Sequence, residues 1–154
     1  MQYNHELDRY QIKSADSLRN CMRGGNGVVC LVAPTLKAHT YRFKKPRNED
    51  KFPDDVVFVY VLHESAYYYI GMIEGNSFRL TQNSRFIEDT ESVRGAKYLM
   101  RMINEEGFFE ASPMRVYHHG KCAVCGRKMR SAKAIMAGVG PKCLRRLQAK
   151  LNVQ

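Results

Sequence analysis

With 154 residues, 44% of them apolar, the chain is long enough to bury a core and too apolar for a disordered protein. No apolar run approaches the roughly 18 residues of a membrane span, and the opening MQYNHELDRY is polar, so neither a membrane segment nor a signal peptide is expected, and a reducing cytoplasm is the expected compartment. The net charge is +10 and it is placed unevenly: residues 1–110 hold 15 Lys and Arg against 15 Asp and Glu, while residues 111–154 hold 10 basic residues and no acidic one.

Residues 14–23 (SADSLRNCMR) predict a short helix, with Ser14 or Asp16 as N-cap and Gly24 and Gly25 as its stop. VVCLVA at 28–33 is followed by an alternation at 40–45, where Tyr41 and Phe43 point one way and Arg42 and Lys44 the other, the pattern of a half-buried strand. The charged segment 45–55 carries two prolines and reads as an exposed loop. VVFVYVL at 56–62, rich in β-branched and aromatic residues, is expected as the central strand. HESA turns the chain into YYYIGMI at 67–73 and EGNS into FRLTQ at 78–82, so three closely spaced strands form a meander. Val93, Ala96, Leu99, Met100 and Ile103 recur at helical spacing over 91–106, between Asp89 or Thr90 and Gly107, and this helix is expected to close the core.

Past Pro113, Val116 and Tyr117 predict a short strand that docks the tail on the body. SAKAIMA at 131–137 reads as a short helix broken by GVG, and Pro141 suits the first position of a final helix, PKCLRRLQAKL. Leu144, Leu147 and Leu151 fall on one side of it and the cations on the other. The expected fold class is α+β: a small antiparallel meander packed by a helix over residues 1–110, then a zinc-binding basic tail over 111–154.

HHGKCAVCGRKM, with the cysteine of GVGPKC eighteen residues after Cys125, has the spacing of a one-zinc site. Its ligands would be Cys122, Cys125, Cys143 and one of His118 or His119, since zinc takes thiolate and imidazole ligands in a tetrahedron. Gly126 stands where such a turn needs a residue without a Cβ. A thioredoxin-like redox pair, or unrelated buried thiols, are the alternatives; the redox reading expects a helix opening after a strand, and the chain offers Gly-rich turns and positive charge instead. Cys21 and Cys30 lack ligand spacing and are expected as buried, reduced side chains.

Such one-sided charge attracts polyanions, with nucleic acid, DNA or RNA, as the leading partner and an acidic host protein as the rival. Candidate phosphate contacts are Lys121, Arg127, Lys128, Arg130, Lys133, Lys142, Arg145, Arg146 and Lys150, helped by Arg42, Lys44, Lys45 and Arg47. Catalysis is not expected, because a hydrolytic zinc uses a nearby carboxylate and a zinc deaminase a His-x-Glu, and the tail has no acid. His63-Glu64 reads as a hairpin turn rather than an acid/base pair, and His5 and His39 as lone histidines. Tyr67, Tyr68 and Tyr69 could stack bases, although alternation puts Tyr68 opposite its neighbours and one side must then be core.

His118, Gly120, Cys122, Cys125, Gly126, Arg127, Gly138, Gly140, Pro141 and Cys143 together resemble the C-terminus of a largely uncharacterised family of short phage and prophage proteins. GNGVV, TYRF at 40–43, YIGMI and FRLTQNSR at 78–85 are similar to that family's body. The chain departs from the pattern at Val139, where isoleucine is usual, and at 131–134, where a Pro-Glu-Ser is not kept. The resemblance implies a zinc-bearing phage protein, active in the host cytoplasm, with His118 as the fourth ligand, and implies little about activity.

Overall fold

In the computed structural model the chain is described over residues 5–47, 52–53, 55–84 and 90–152, with side chains from residue 8 to residue 149. A 3₁₀ turn (His5–Tyr10) leads into helix α1 (Ala15–Arg23), whose N-cap is Ser14: its Oγ accepts the Ser17 N–H at 3.1 Å. This cap satisfies one of the orphan donors of the first turn. Strands β1 (Asn26–Val32), β2 (Ala38–Lys44), β3 (Val56–His63), β4 (Ala66–Glu74) and β5 (Ser77–Arg79) follow in a meander. Helix α2 (Glu91–Asn104), capped by the Thr90 hydroxyl, precedes a four-residue turn α3 (Phe108–Ala111) and strand β6 (Arg115–His118). The tail closes with α4 (Ala132–Ala137) and α5 (Pro141–Asn152).

All six strands form one antiparallel sheet in the order β5-β4-β3-β2-β1-β6, so the fold is α+β as expected. The strand expected at Val116 and Tyr117 is β6, which pairs with β1 from Val29 opposite His118 to Val32 opposite Arg115. It extends the meander on its open side. β3 shares the middle of the sheet with β2 rather than holding it alone, and β5 is shorter than the FRLTQ run. Helix α2 ends at Asn104, with Glu105 as its C-cap, before Gly107, which opens α3 at a φ of +79° instead.

The sheet has two unlike faces. Val29, Leu31, Tyr41, Phe43, Val57, Val59, Val61 and Ile73 meet Leu18, Met22, Ala96, Leu99 and Ile103 of α1 and α2 in the core. Tyr41 ties the layers together, its hydroxyl donating to the Ser92 carbonyl at 2.6 Å. The same core takes in Cys122, Ala123, Met129, Ala134, Val139 and Cys143, so residues on both sides of the charge boundary share one apolar cluster. Cys21 and Cys30 are buried free thiols, as expected. Among the described residues no helix is long and apolar enough to cross a membrane.

Candidate metal centre

Strand β6 delivers the chain to a tight turn that carries Cys122 and Cys125. Gly120 takes a φ of +80°, and the segment then folds back on itself: the Met129 N–H donates to the Gly120 carbonyl at 2.9 Å and the Cys122 N–H to the Arg127 carbonyl at 2.8 Å. Gly126, at a φ of +78°, closes the loop by donating its N–H to the Cys122 carbonyl at 2.9 Å. A side chain there would be strained, which is the conformational reason for a glycine after the second cysteine. Ser131 caps α4, accepting the Ala134 N–H at 3.1 Å, and Gly138 ends it at a φ of +79°. The departure from the family pattern at 131–134 therefore keeps the helix, one residue after its serine cap. Pro141 opens α5 and places Cys143 in its first turn.

These elements bring the ligand atoms of Cys122, Cys125 and Cys143 within 4.8 Å of one another. A single tetrahedral ion with metal–sulfur bonds of about 2.3 Å would set its sulfurs about 3.8 Å apart, so the three thiols fit one ion after a small contraction. Cys122 and Cys143 are buried and Cys125 is exposed. The Cys122 sulfur accepts N–H groups from Gly140 at 3.3 Å and Val124 at 3.4 Å. Burial pushes this thiol up, but N–H donors from Cys125, Gly140 and Val124 together outweigh it and hold it below its ordinary value. Burial and the two neighbouring thiols push Cys143 up to about 11. Three sulfurs this close, one stabilised as thiolate, are chemically a ligand set for a soft or borderline cation.

His118 is not part of that set. Its Nδ1 accepts the Gly120 N–H at 2.9 Å, which leaves the proton on Nε2, and Nε2 donates to the Ile135 carbonyl at 2.7 Å. Both ring nitrogens are thus used to fasten β6, the turn and α4 together, so the ring acts as a lock between them and stands outside the three-thiol group. His119 is exposed and does not join the group, so among the described residues the cluster holds three ligands. Burial lowers the His118 pKa below 6.5, against the Ile135 hydrogen bond that raises it. The unfolded ring titrates near 6.5, so the neutral imidazole's contribution is complete above about pH 6.5 and is lost as pH falls through the lowered folded value. NMR titration of the ring should give a midpoint below 6.5; a midpoint at or above that value contradicts the lock.

The seat of the knuckle on the body was not legible in the cysteine spacing. Ala123 is gripped by the corner between α1 and β1: the Asn26 N–H donates to its carbonyl at 2.7 Å. A Cβ on Gly24 would stand 2.6 Å from that carbonyl oxygen, and one on Gly27 would stand 1.9 Å from the Cys21 carbonyl oxygen and 3.4 Å from the Ala123 Cβ. Asn20 adds a side-chain hydrogen bond to the Ala137 carbonyl at 3.2 Å. Gly24 and Gly25 are the expected stop of α1, and Gly27 figures only in GNGVV, which resembles a family body segment. Close approach is a further role of Gly24 and Gly27.

Of the expected phosphate contacts, Lys121, Arg127, Lys128, Arg130, Lys133, Lys142, Arg145 and Arg146 are all exposed, and none forms an ion pair with a described residue. The side chains of Lys150 and Leu151 lie outside the described residues, as does that of His5. Lys121 and Lys128 face each other across an antiparallel bridge. His39 is not alone, since its Nε2 lies 3.7 Å from the Glu91 carboxylate. His63 and Glu64 form the β3–β4 turn, with Glu64 at a φ of +57°. Tyr68 lies opposite Val61 on the core side of the sheet, yet it is 38% exposed, so the alternation did not require it to be core.

Residues 113–148, which span β6 to α5, match a model of a family of unknown function (DUF6011). A search of the curated proteins and a search of the solved structures returned no match.

Proposed function

We propose that this is a non-enzymatic nucleic-acid-binding protein of the phage kind its tail resembles, in which zinc held by Cys122, Cys125 and Cys143 clamps a basic surface into a fixed shape. Zinc suits the thiolate set, and bound there it cross-links the knuckle to the start of α5. With no acidic residue between 111 and 154, no group of the tail is available as a carboxylate base. The carrying observation is the set of exposed cations around the cluster with no acidic partner among the described residues. Lys121 opposite Lys128 sharpens it, because like charges paired across strands are destabilising unless an anion lies between them.

Six phosphate contacts on duplex DNA would give a log–log salt slope of about −5. Lys142→Glu combined with Arg145→Glu and Arg146→Glu should make the slope shallower by roughly 3 while leaving the circular dichroism spectrum unchanged, because all three side chains are exposed. No binding at about 50 mM salt, or a slope near zero, contradicts the reading and turns the search to an acidic protein partner.

A further inference from the structure

The sheet face turned away from α1 and α2 has a composition that the basic tail does not explain. The register sets Lys44 opposite Phe58, Arg42 opposite Tyr60, Tyr60 opposite Tyr69 and Leu62 opposite Tyr67. These side chains sit on the strand positions that alternate with the buried Tyr41, Phe43, Val59 and Val61. The rings form a connected array: Tyr69 packs edge-on against Phe58 at 5.9 Å and against Tyr60 at 5.7 Å, and its hydroxyl accepts from the Thr81 hydroxyl at 3.0 Å. Tyr67 is 36% exposed and has the Arg42 guanidinium 5.8 Å from its ring centre. Among the described strand residues of this face the one acid is Glu74, which is paired with Arg79 at 3.0 Å.

The face is also continuous with the tail. One step beyond the pairing of Val29 with His118, His119 comes level with Val28, whose other neighbour is Arg42. Charge on both Lys121 and Arg42 bears on His119. Rings, then Arg42, then Val28 and His119 follow one another across the sheet, and Lys121 comes two residues after His119. Cationic groups beside half-exposed rings on an antiparallel sheet are what an unpaired strand needs, since its bases can lie on rings while its phosphates meet cations, whereas a duplex keeps its bases stacked on one another.

We infer that this face is a stacking platform for single-stranded nucleic acid, with Tyr67 and Tyr60 taking bases and Arg42, Lys44 and the tail taking phosphates; this rests on the nucleic-acid reading above. The chain has nine tyrosines and no tryptophan, so binding can be followed by tyrosine emission, and the part of the quench lost in a Tyr67 or Tyr60 variant belongs to the platform. Titration with oligothymidylate, oligouridylate and a duplex of equal length should show quenching and tighter binding for a single strand, and either sugar satisfies the inference. Tyr67→Leu, a change at an exposed position, should weaken single-strand binding roughly tenfold and leave duplex binding unchanged, with Tyr60→Leu as the second variant. Duplex binding with the steep salt slope but no preference for single strands, or single-strand affinity unchanged in both variants, overturns this inference alone. Absence of binding to all three overturns the nucleic-acid reading as well.

Discussion

Stripping the metal, or replacing Cys122 by Ser, is expected to destabilise the whole chain and not the tail alone. Structural zinc contributes roughly 10–16 kcal/mol in small zinc domains, which is comparable to the total stability of about 5–15 kcal/mol of an ordinary domain. Here that energy is not confined to a peripheral knuckle. Cys122 is 2% exposed and lies in the same apolar cluster as Leu18, Val29 and Leu99. Without the ion, three thiols brought within 4.8 Å lose what holds them together, and α5 loses its tether in the first turn. β6 then loses the turn that follows it, and β1 its outer partner. Hydrogen exchange should therefore accelerate in β1 and β6 together with the tail, and the melting temperature should fall by well over 10 °C, about what several kcal/mol implies for a domain of this size. Unchanged melting after chelation would contradict a structural metal.

Gly27→Ala should be the most damaging single substitution outside the cysteines. Its Cβ would meet the Cys21 carbonyl oxygen at 1.9 Å and the Ala123 Cβ at 3.4 Å, and neither is the far end of a flexible side chain that could yield. Overpacking of this kind costs about 1–3 kcal/mol and occasionally more; a backbone clash under 2 Å belongs at the upper end. The shift propagates to a definite place, because Asn26, next to it, donates to Ala123 inside the Cys-x-x-Cys turn. Gly27→Ala is therefore expected to weaken metal affinity as well as stability, though residue 27 is no ligand. Gly107→Ala is the contrast: nothing lies within 4 Å of a Cβ there, and only the φ of +79° is a source of strain. A Gly27→Ala protein that melts and holds metal like the parent would sink the docking account.

Much of the scaffold was legible because its signals are local. The alternation of Tyr41 and Phe43 with Arg42 and Lys44, the helical spacing from Val93 to Ile103, the Ser14 cap and Pro141 at a helix start each depend on a few neighbouring residues, and each element stands where its signal put it. The three-cysteine cluster was legible for the same reason in its Cys-x-x-Cys half, and needed the fold to bring Cys143 to it. The hydrogen bonds of His118 were not legible, because spacing to a cysteine says nothing of what else surrounds a ring. The Gly120 N–H and the Ile135 carbonyl, the latter 17 residues away, claimed both its nitrogens. Similarly, the packing of Gly24 and Gly27 against Ala123 joins positions about a hundred residues apart, beyond the reach of any periodicity. The aromatic platform was half visible, as three consecutive tyrosines, but only the register with β2 shows Arg42 and Lys44 beside the rings.

The central claim is that a metal holds the basic surface in its binding shape. Duplex and single-strand affinity measured on one preparation, before and after metal removal at fixed salt and with metal content determined in parallel, tests it most directly. The expected result is about one zinc per chain, tight salt-dependent binding when loaded, and loss of most of that affinity when stripped, restored by adding zinc back. Equal affinity with and without the ion, or a metal content far below one per chain, would contradict it.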